Sequence, residues 1–597
     1  MNIVLISMIG LIRTDYISDA ISFSIVPILI STAIILFSKD FVLFSDRKSI
    51  KWDVILAGLF IVMLSAEEVL KTMRSMDHEM LNTIFKVIYF PLLFAALVID
   101  VDYAQFFTLS RSKGSDTSSD DAPDTANNGR FLGIHYPVWI LIAITYMFVI
   151  AYYPGLMNSD FEAEWMWGWS DKTNWSDWHT VGYLFFVRLC TAIIHKPVMI
   201  TIAQVLMYYL TINYAVSVLK RRFPSFSRVG FLFIGLYIGF SLYSCVYMSE
   251  IRKDNCSSPM LLAFAISVLD YVLSKNHERR QYINLTVFAF LAAIFRHSLP
   301  EVVAVTLICV IIGEFRNKSL EQSERKKNIL RLCAVIVVYI ASYLILTEGI
   351  AFGLLRAERN PAYIKYTIPM NLAASMAYRS QETGLYIDDD IVKKMEQIIP
   401  MEKWAEYYCP YDADTTDRPW HEIGDNVLKL NDPKIAKDII AVNWYYLTHY
   451  PKQCILSFFD VNSMVWEIAK ASDLIMYSPG LATEHYEIHH MRKGEFFWVS
   501  ENIKSFLGST AVGRTVVYRG GLYLYLMAVI ILILFRKRFF RVFTAMLPVL
   551  LYAAALMISI PQEGTHYIMV FAMFAALFGA VVLSLPAKND IGQNPTV

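Results

Sequence analysis

Of the chain's 597 residues, 56% are hydrophobic and only 18% charged, where soluble globular domains carry roughly 25% charged residues. With a mean hydropathy of +0.43, this composition excludes an ordinary soluble enzyme and points to a chain that crosses a membrane repeatedly. A formal net charge of zero removes the electrostatic basis for a nucleic-acid partner.

Membrane-crossing helices need roughly 20 mostly apolar residues each. In chain order, windows at 20–37, 53–66, 81–99, 135–153, 197–219, 229–247, 259–273, 282–295, 300–312, 329–346, 522–535, 543–560 and 567–585 meet that pattern, so about 13 transmembrane helices are expected. Residues 1–13 are apolar but lack a basic start and a small-residue cleavage site, so no cleavable signal peptide is expected. Arg188 interrupts a further apolar stretch at 181–194, which reads as an interfacial helix.

With that segment at the interface, charge sorts by side. One set of loops, at 39–51, 111–130, 220–228, 275–280, 316–331 and 536–541, holds 24 lysines and arginines. The opposite short loops hold six: Lys71, Arg74, Lys172, Arg252, Lys253 and Arg296. Positive charge stays in the cytoplasm, so the first set faces inward. The expected organisation is three leading transmembrane helices in 1–109, then a disordered cytoplasmic linker at 110–130, rich in Ser, Asp and Gly. A transmembrane core follows in 131–348, with a first outer loop at 154–196. An extracytoplasmic, mostly helical domain occupies 349–518, and C-terminal transmembrane helices with a short tail fill 519–597. Most of the seven cysteines fall in apolar segments without CxxC spacing and read as small core residues; Cys409 and Cys454 share the outer polar region and are a candidate disulfide.

Candidate chemistry concentrates on the outer face. The loop after the fourth window interleaves Asp160, Glu162, Glu164, Asp171, Asp177 and His179 with five tryptophans, Trp178 among them. Indoles stack on sugar faces, and they also anchor in lipid headgroups; both uses stay open. Asp160, just after a Pro-Gly turn, suits a general base on an acceptor hydroxyl, an oxygen ligand for Mg or Mn, or a helix cap. The second outer loop, SEIRKDNCSS, brings Glu250, Arg252, Lys253 and Asp254; two cations there suit a phosphate anchored near headgroups, or an internal ion pair. Arg296 and His297 lie in the third loop, and His566 and Tyr567 in the last outer turn. Carboxylates, cations and aromatics gathered on one leaflet suit a lipid-phosphate donor meeting a polar acceptor.

The order of these parts resembles the GT-C superfamily of membrane glycosyltransferases, in which a helix leads to a large outer loop with a catalytic acid, then two helices and a second acidic loop. It is similar more closely to an uncharacterised bacterial family of GT-C-like proteins. The shared stretches are YYPGLMNSD (152–160), SDWHT (176–180), IRKD (251–254), FRHS (295–298), IPMNLAASMA (368–377), YYCPYDAD (407–414) and NWYYLTHYP (443–451), and the likeness covers 130–590. Two departures stand out: family members carry His-Pro where this chain has His179-Thr180, and Arg-Tyr where it has His566-Tyr567. The resemblance implies an inverting transferase in the bacterial cytoplasmic membrane, working on the outer face. It would move a sugar from a polyprenyl-phosphate donor to a cell-surface glycan or other acceptor. Asp160 would be the base, Lys253, Arg252 and Arg296 would hold the phosphate, and Glu162, Trp178, His179, Glu250, Asp254, His297, His566 and Tyr567 would meet substrate or acceptor. Its rivals are a polysaccharide polymerase or ligase, favoured by outer arginines such as Arg356 and Arg359, and a non-enzymatic lipid-linked glycan transporter. The transporter would call for mid-membrane charges and an internal repeat, and neither is evident.

Overall fold

The computed structural model describes residues 54–57, 130–132, 134–153, 155–156, 175–177, 179–223, 248–274, 276–317, 320–360, 362–410, 413, 428–468, 498, 502, 519–537, 539–559 and 565–585. The described chain is mostly helical. A minimal antiparallel pair, β1 (Arg130–Phe131) and β2 (Ile134–His135), leads into α1 (Tyr136–Ala151). Then come α2 (Val181–Thr191), α3 (Val198–Arg222), α4 (Asp254–Val272), α5 (Arg279–Ile294), α6 (Leu299–Arg316) and α7 (Gln322–Leu344). The last of these continues as a π-helix over Ile345–Leu354.

At the centre stands α4, buried from Asp254 to Tyr271 and packed against α3, α5, and two later helices, α15 (Phe540–Ser559) and α16 (Met569–Ser584). Small residues along it (Cys256, Ser257, Ser258, Ala263, Ala265, Ser267) let these neighbours approach closely. The polar DNCSS run at its start was expected to be loop. It is helical because its side chains turn into protein: Asn255 Nδ2 donates to the Glu250 carbonyl at 2.6 Å, and Ser257 Oγ donates to the Asp254 carbonyl at 3.4 Å.

Among the described residues, four helical stretches, α3, α4, α7 with its π extension (33 residues) and α15, are long and apolar enough to cross a membrane. The remaining described apolar helices are shorter or more charged, and the windows at 20–37, 81–99 and 229–247 lie outside the described residues, as do most of 53–66 and all of the 110–130 linker but Arg130. The expected boundary at 349 falls inside the π-helix; the helical run ends only at Leu354. Its outward face exposes Leu330, Val337, Val338 and Leu344, an apolar surface left uncovered by the described residues.

A second helical unit follows: α8 (Thr367–Thr383), α9 (Asp389–Glu396), α10 (Met401–Glu406), α11 (Pro433–His449) and α12 (Pro451–Val461), packed around Trp404, Met370, Met395 and Tyr446. Cys409 and Cys454 are both free thiols here, so the candidate disulfide is absent; Cys454 is buried in this apolar core. A short α13 (Ser463–Trp466) packs against α14 (Gly520–Arg536). Gly521 makes that junction possible, since a Cβ there would lie 2.3 Å from the Trp466 and Glu467 carbonyl oxygens.

The two ends of α4 carry separate polar clusters. At its far end Asp270 accepts from Arg221 and Arg222, both at 2.7 Å. Nearby, Asn328 links Glu314 (2.9 Å) to the Tyr282 hydroxyl (3.0 Å). Sixteen residues at 1.5 Å per residue put Asp254 about 24 Å away, at the other end.

Candidate functional site

The site is assembled where short connections meet the start of α4. Leu156 pairs with the strand-like Ser249–Ile251 stretch, donating to the Ser249 carbonyl (2.7 Å) and accepting from Ile251 N–H (2.9 Å). Gly155 permits this: its φ is +137°, and a Cβ would meet Thr201 Oγ1 at 2.6 Å. From α3, the buried Gln204 holds the same stretch. Its amide donates to the Glu250 carbonyl (2.9 Å), while its oxygen accepts from Arg252 N–H (3.2 Å) and the Tyr183 hydroxyl (3.3 Å).

The loop before α2 is fixed from the other side. Ser176 pairs in parallel with Glu358, so that Asp177 N–H donates to the Glu358 carbonyl (2.8 Å) and Glu358 N–H donates to that of Trp175 (2.7 Å). Asp177 Oδ1 accepts from Val181 N–H at 3.3 Å, satisfying one of the free donors in the first turn of α2. The Trp175 ring lies 4.8 Å from Phe185 and under the Arg188 guanidinium at 4.6 Å, anchored in protein. Gly182 lets α2 close onto α5, because any Cβ there would sit 2.4 Å from the Ile294 carbonyl oxygen.

Charges converge on this frame. Lys253 Nζ donates to His179 Nδ1 at 2.7 Å, which leaves the ring hydrogen of His179 on Nε2. Burial holds His179 well below the usual histidine range, helped by Lys253, His297 and Arg252, so the ring stays neutral. Arg296 pairs with Asp254 in the first turn of α4, and its guanidinium lies over the rings of Tyr567 (4.6 Å) and Tyr552 (5.3 Å). Burial opposes its charge, but Asp254, Tyr552 and Tyr567 outweigh that and raise its pKa. His566 Nε2 stands 3.9 Å from the other oxygen of Asp254. Burial, with Arg252, Arg296 and Lys253 nearby, keeps His566 neutral too. Arg252 and Glu250 form a buried pair.

At the rim, His297 Nδ1 is 3.9 Å from Asp177 Oδ2, and its Nε2 is 3.2 Å from Asn360 Nδ2. Burial pushes the Asp177 carboxyl up to about 6, against the lowering effect of its backbone hydrogen bond and of Arg359 and Lys253.

His179, Glu250, Arg252, Lys253, Asp254, Arg296, His566 and Tyr567 thus form one cluster, with His297 at its edge. Glu250 and Asp254, expected to meet an acceptor, are buried counter-charges of Arg252 and Arg296, and Arg252 is enclosed with its partner. Asp160, Glu162 and Trp178 lie outside the described residues. Among the described residues, no three imidazole, thiolate or carboxylate side chains are arranged to hold a metal ion.

Two contributors were not singled out from sequence. Gln204 had a legible signal, as one of two amides inside an apolar window. Asp177 was read only as one of several loop acids, because its partner strand lies about 180 residues downstream.

Among the described residues, three cations (Arg252, Lys253, Arg296) face two carboxylates (Glu250, Asp254) at the N-terminus of α4, the positive end of the helix dipole. Such an arrangement has room electrostatically for one more anion. Comparison with protein-family models, with curated proteins and with solved structures finds no match to this chain.

Proposed function

We propose that this protein is a polytopic membrane glycosyltransferase of GT-C type, taking its sugar from a polyprenyl-phosphate donor on the outer face of a bacterial cytoplasmic membrane. One observation carries the reading: the positive excess made by Lys253, Arg296 and Arg252 at the start of the buried helix α4, at one end of the apolar helices. A phosphate set among headgroups, with its chain in lipid, is the anion that fits this position. The inward bias of Lys and Arg supports the same orientation, with about 13 transmembrane helices and an outer helical domain.

In this reading the acceptor hydroxyl attacks the anomeric carbon from the face opposite the phosphate. Its proton passes to Asp160 as the new C–O bond forms. The bond from carbon to the phosphate oxygen breaks, and its electron pair leaves with the phosphate, whose growing charge Lys253 and Arg296 stabilise. Leu156, four residues before Asp160 in sequence, is bonded to Ser249 and Ile251 beside the cluster. His179 orients Lys253, and Tyr567 orients Arg296.

The test is transfer of radiolabel from polyprenyl-phosphate sugars by the purified chain in proteoliposomes. Asp160→Asn should lower the rate by about 10²–10⁴-fold without loss of folded protein. A wild-type chain that moves no sugar across a panel of such donors would sink the reading, and an Asn variant at full rate would remove the base.

A further inference from the structure

Outside the site, one surface stands out. On α11 the side chains of Ile440, Trp444 and Leu447 are 49%, 66% and 38% exposed, at spacings of four and three residues that put them on one stripe. The opposite side of α11 (Ile439, Val442, Tyr445, Tyr446) is buried in the second helical unit. After the break at Tyr450, α12 repeats the pattern, exposing Ile455 and Phe459 while Cys454, Ser457 and Val461 are buried. Single exposed apolar residues are ordinary; five of them, ordered along two consecutive helices, are not.

The chain says where this face lies. Trp466 Nε1 donates to the Phe459 carbonyl at 2.9 Å and the two rings are 5.5 Å apart. The Trp466 carbonyl in turn abuts Gly521, in the first turn of the apolar helix α14. The end of α12 is therefore level with the end of the apolar bundle. Charge separates in the matching sense: α11 and α12 carry three lysines against two aspartates, whereas α9 and α10, elsewhere on the unit, carry five acids against three lysines.

We infer that the α11–α12 face lies in the interfacial layer of a lipid bilayer, with Trp444 at headgroup depth and Lys437 and Lys452 toward anionic lipid phosphates. An amphipathic helix with a tryptophan on its apolar side and lysines at the border has this chemistry. The surface holds the second helical unit down against the membrane beside the site. The inference rests on the apolar helices crossing a bilayer and is independent of the transferase assignment.

The experiment places a nitroxide, through a ketone-bearing aromatic residue, at position 444, 337 or 394 of the full chain. The protein is reconstituted in nanodiscs of phosphatidylcholine and phosphatidylglycerol, and collision with oxygen is compared with collision with a water-soluble nickel chelate. Position 394, a partly exposed lysine on α9 paired with the exposed Asp390, is the aqueous reference; Val337, on the exposed face of α7, reports whether the apolar helices lie in lipid. At 444 the oxygen-to-nickel ratio should exceed that at 394 several-fold, and repeating the measurement at 440 should agree. A 444 ratio equal to that at 394, with 337 in lipid, overturns the inference alone. Low collision with both reagents at 444 also overturns it, since protein rather than lipid would cover the face. Water-like ratios at both 337 and 444 would remove the membrane reading as well.

Discussion

Lys253 Nζ and His179 Nδ1 are 2.7 Å apart, a distance at which the imidazole accepts from the ammonium only while Nδ1 carries no proton. Protonating His179 would set a buried imidazolium against the partly buried Lys253 ammonium. In the folded chain its pKa is held well below 6.5, so the unfolded chain takes up the proton first. The stability this neutral form confers is complete above about pH 6.5 and is lost as pH falls below it. His566 behaves in the same sense. The melting temperature of the purified chain should therefore drop between pH 7 and pH 5, and His179→Gln should flatten the drop. An unchanged slope in the variant would show that other groups govern it.

Asp254 and Arg296 form the central pair of the site, and removal of one partner strands the other. Asp254→Asn should cost about 3–5 kcal/mol, as an uncompensated buried guanidinium is left over Tyr567. Replacing both residues, as in Asp254→Asn with Arg296→Met, should recover much of that stability but not any anion binding. Denaturant unfolding of the two variants compares them directly; a double variant no more stable than the single one would contradict the pairing.

Gly155→Ala tests the backbone. The φ of +137° and the Thr201 contact act together, so the substitution should destabilise by about 1–3 kcal/mol. Adding Thr201→Ala relieves the contact but not the dihedral, so only partial recovery is expected in a thermal melt. Full recovery would mean that the contact alone matters.

Gln204→Leu removes three hydrogen bonds, two of which fix the 249–252 stretch and one of which reaches Tyr183. Leaving the buried Arg252 N–H unpaired should cost about 1–3 kcal/mol. Gln204→Glu keeps the acceptor and loses the donor, so it should fall between wild type and Leu in a melting series. Equal melting of all three would show that Gln204 does not hold the loop.

The sequence read its helices well where the apolar run was long. The windows at 135–153, 197–219 and 522–535 correspond to Tyr136–Ala151, Val198–Arg222 and Gly520–Arg536. It failed at the start of α4, because Asp254, Asn255 and Ser257 look solvated until their partners are known. The same limit applied to the site. Sequence showed that Glu250, Arg252, Asp254 and Arg296 share a face, but not that the acids neutralise two of the cations and leave Lys253 against a histidine. Pairings such as Ser176 with Glu358 join segments too distant for any local pattern to reveal.

Because α4 is enclosed on every side and fastened by an aspartate at each end, its length is not adjustable. Each residue inserted or deleted between Cys256 and Leu269 would rotate one aspartate relative to the other by about 100° and shift it by about 1.5 Å. No such change can leave both Asp254 on Arg296 and Asp270 between Arg221 and Arg222. Homologous chains that keep both anchors should show substitutions in this stretch but no gaps.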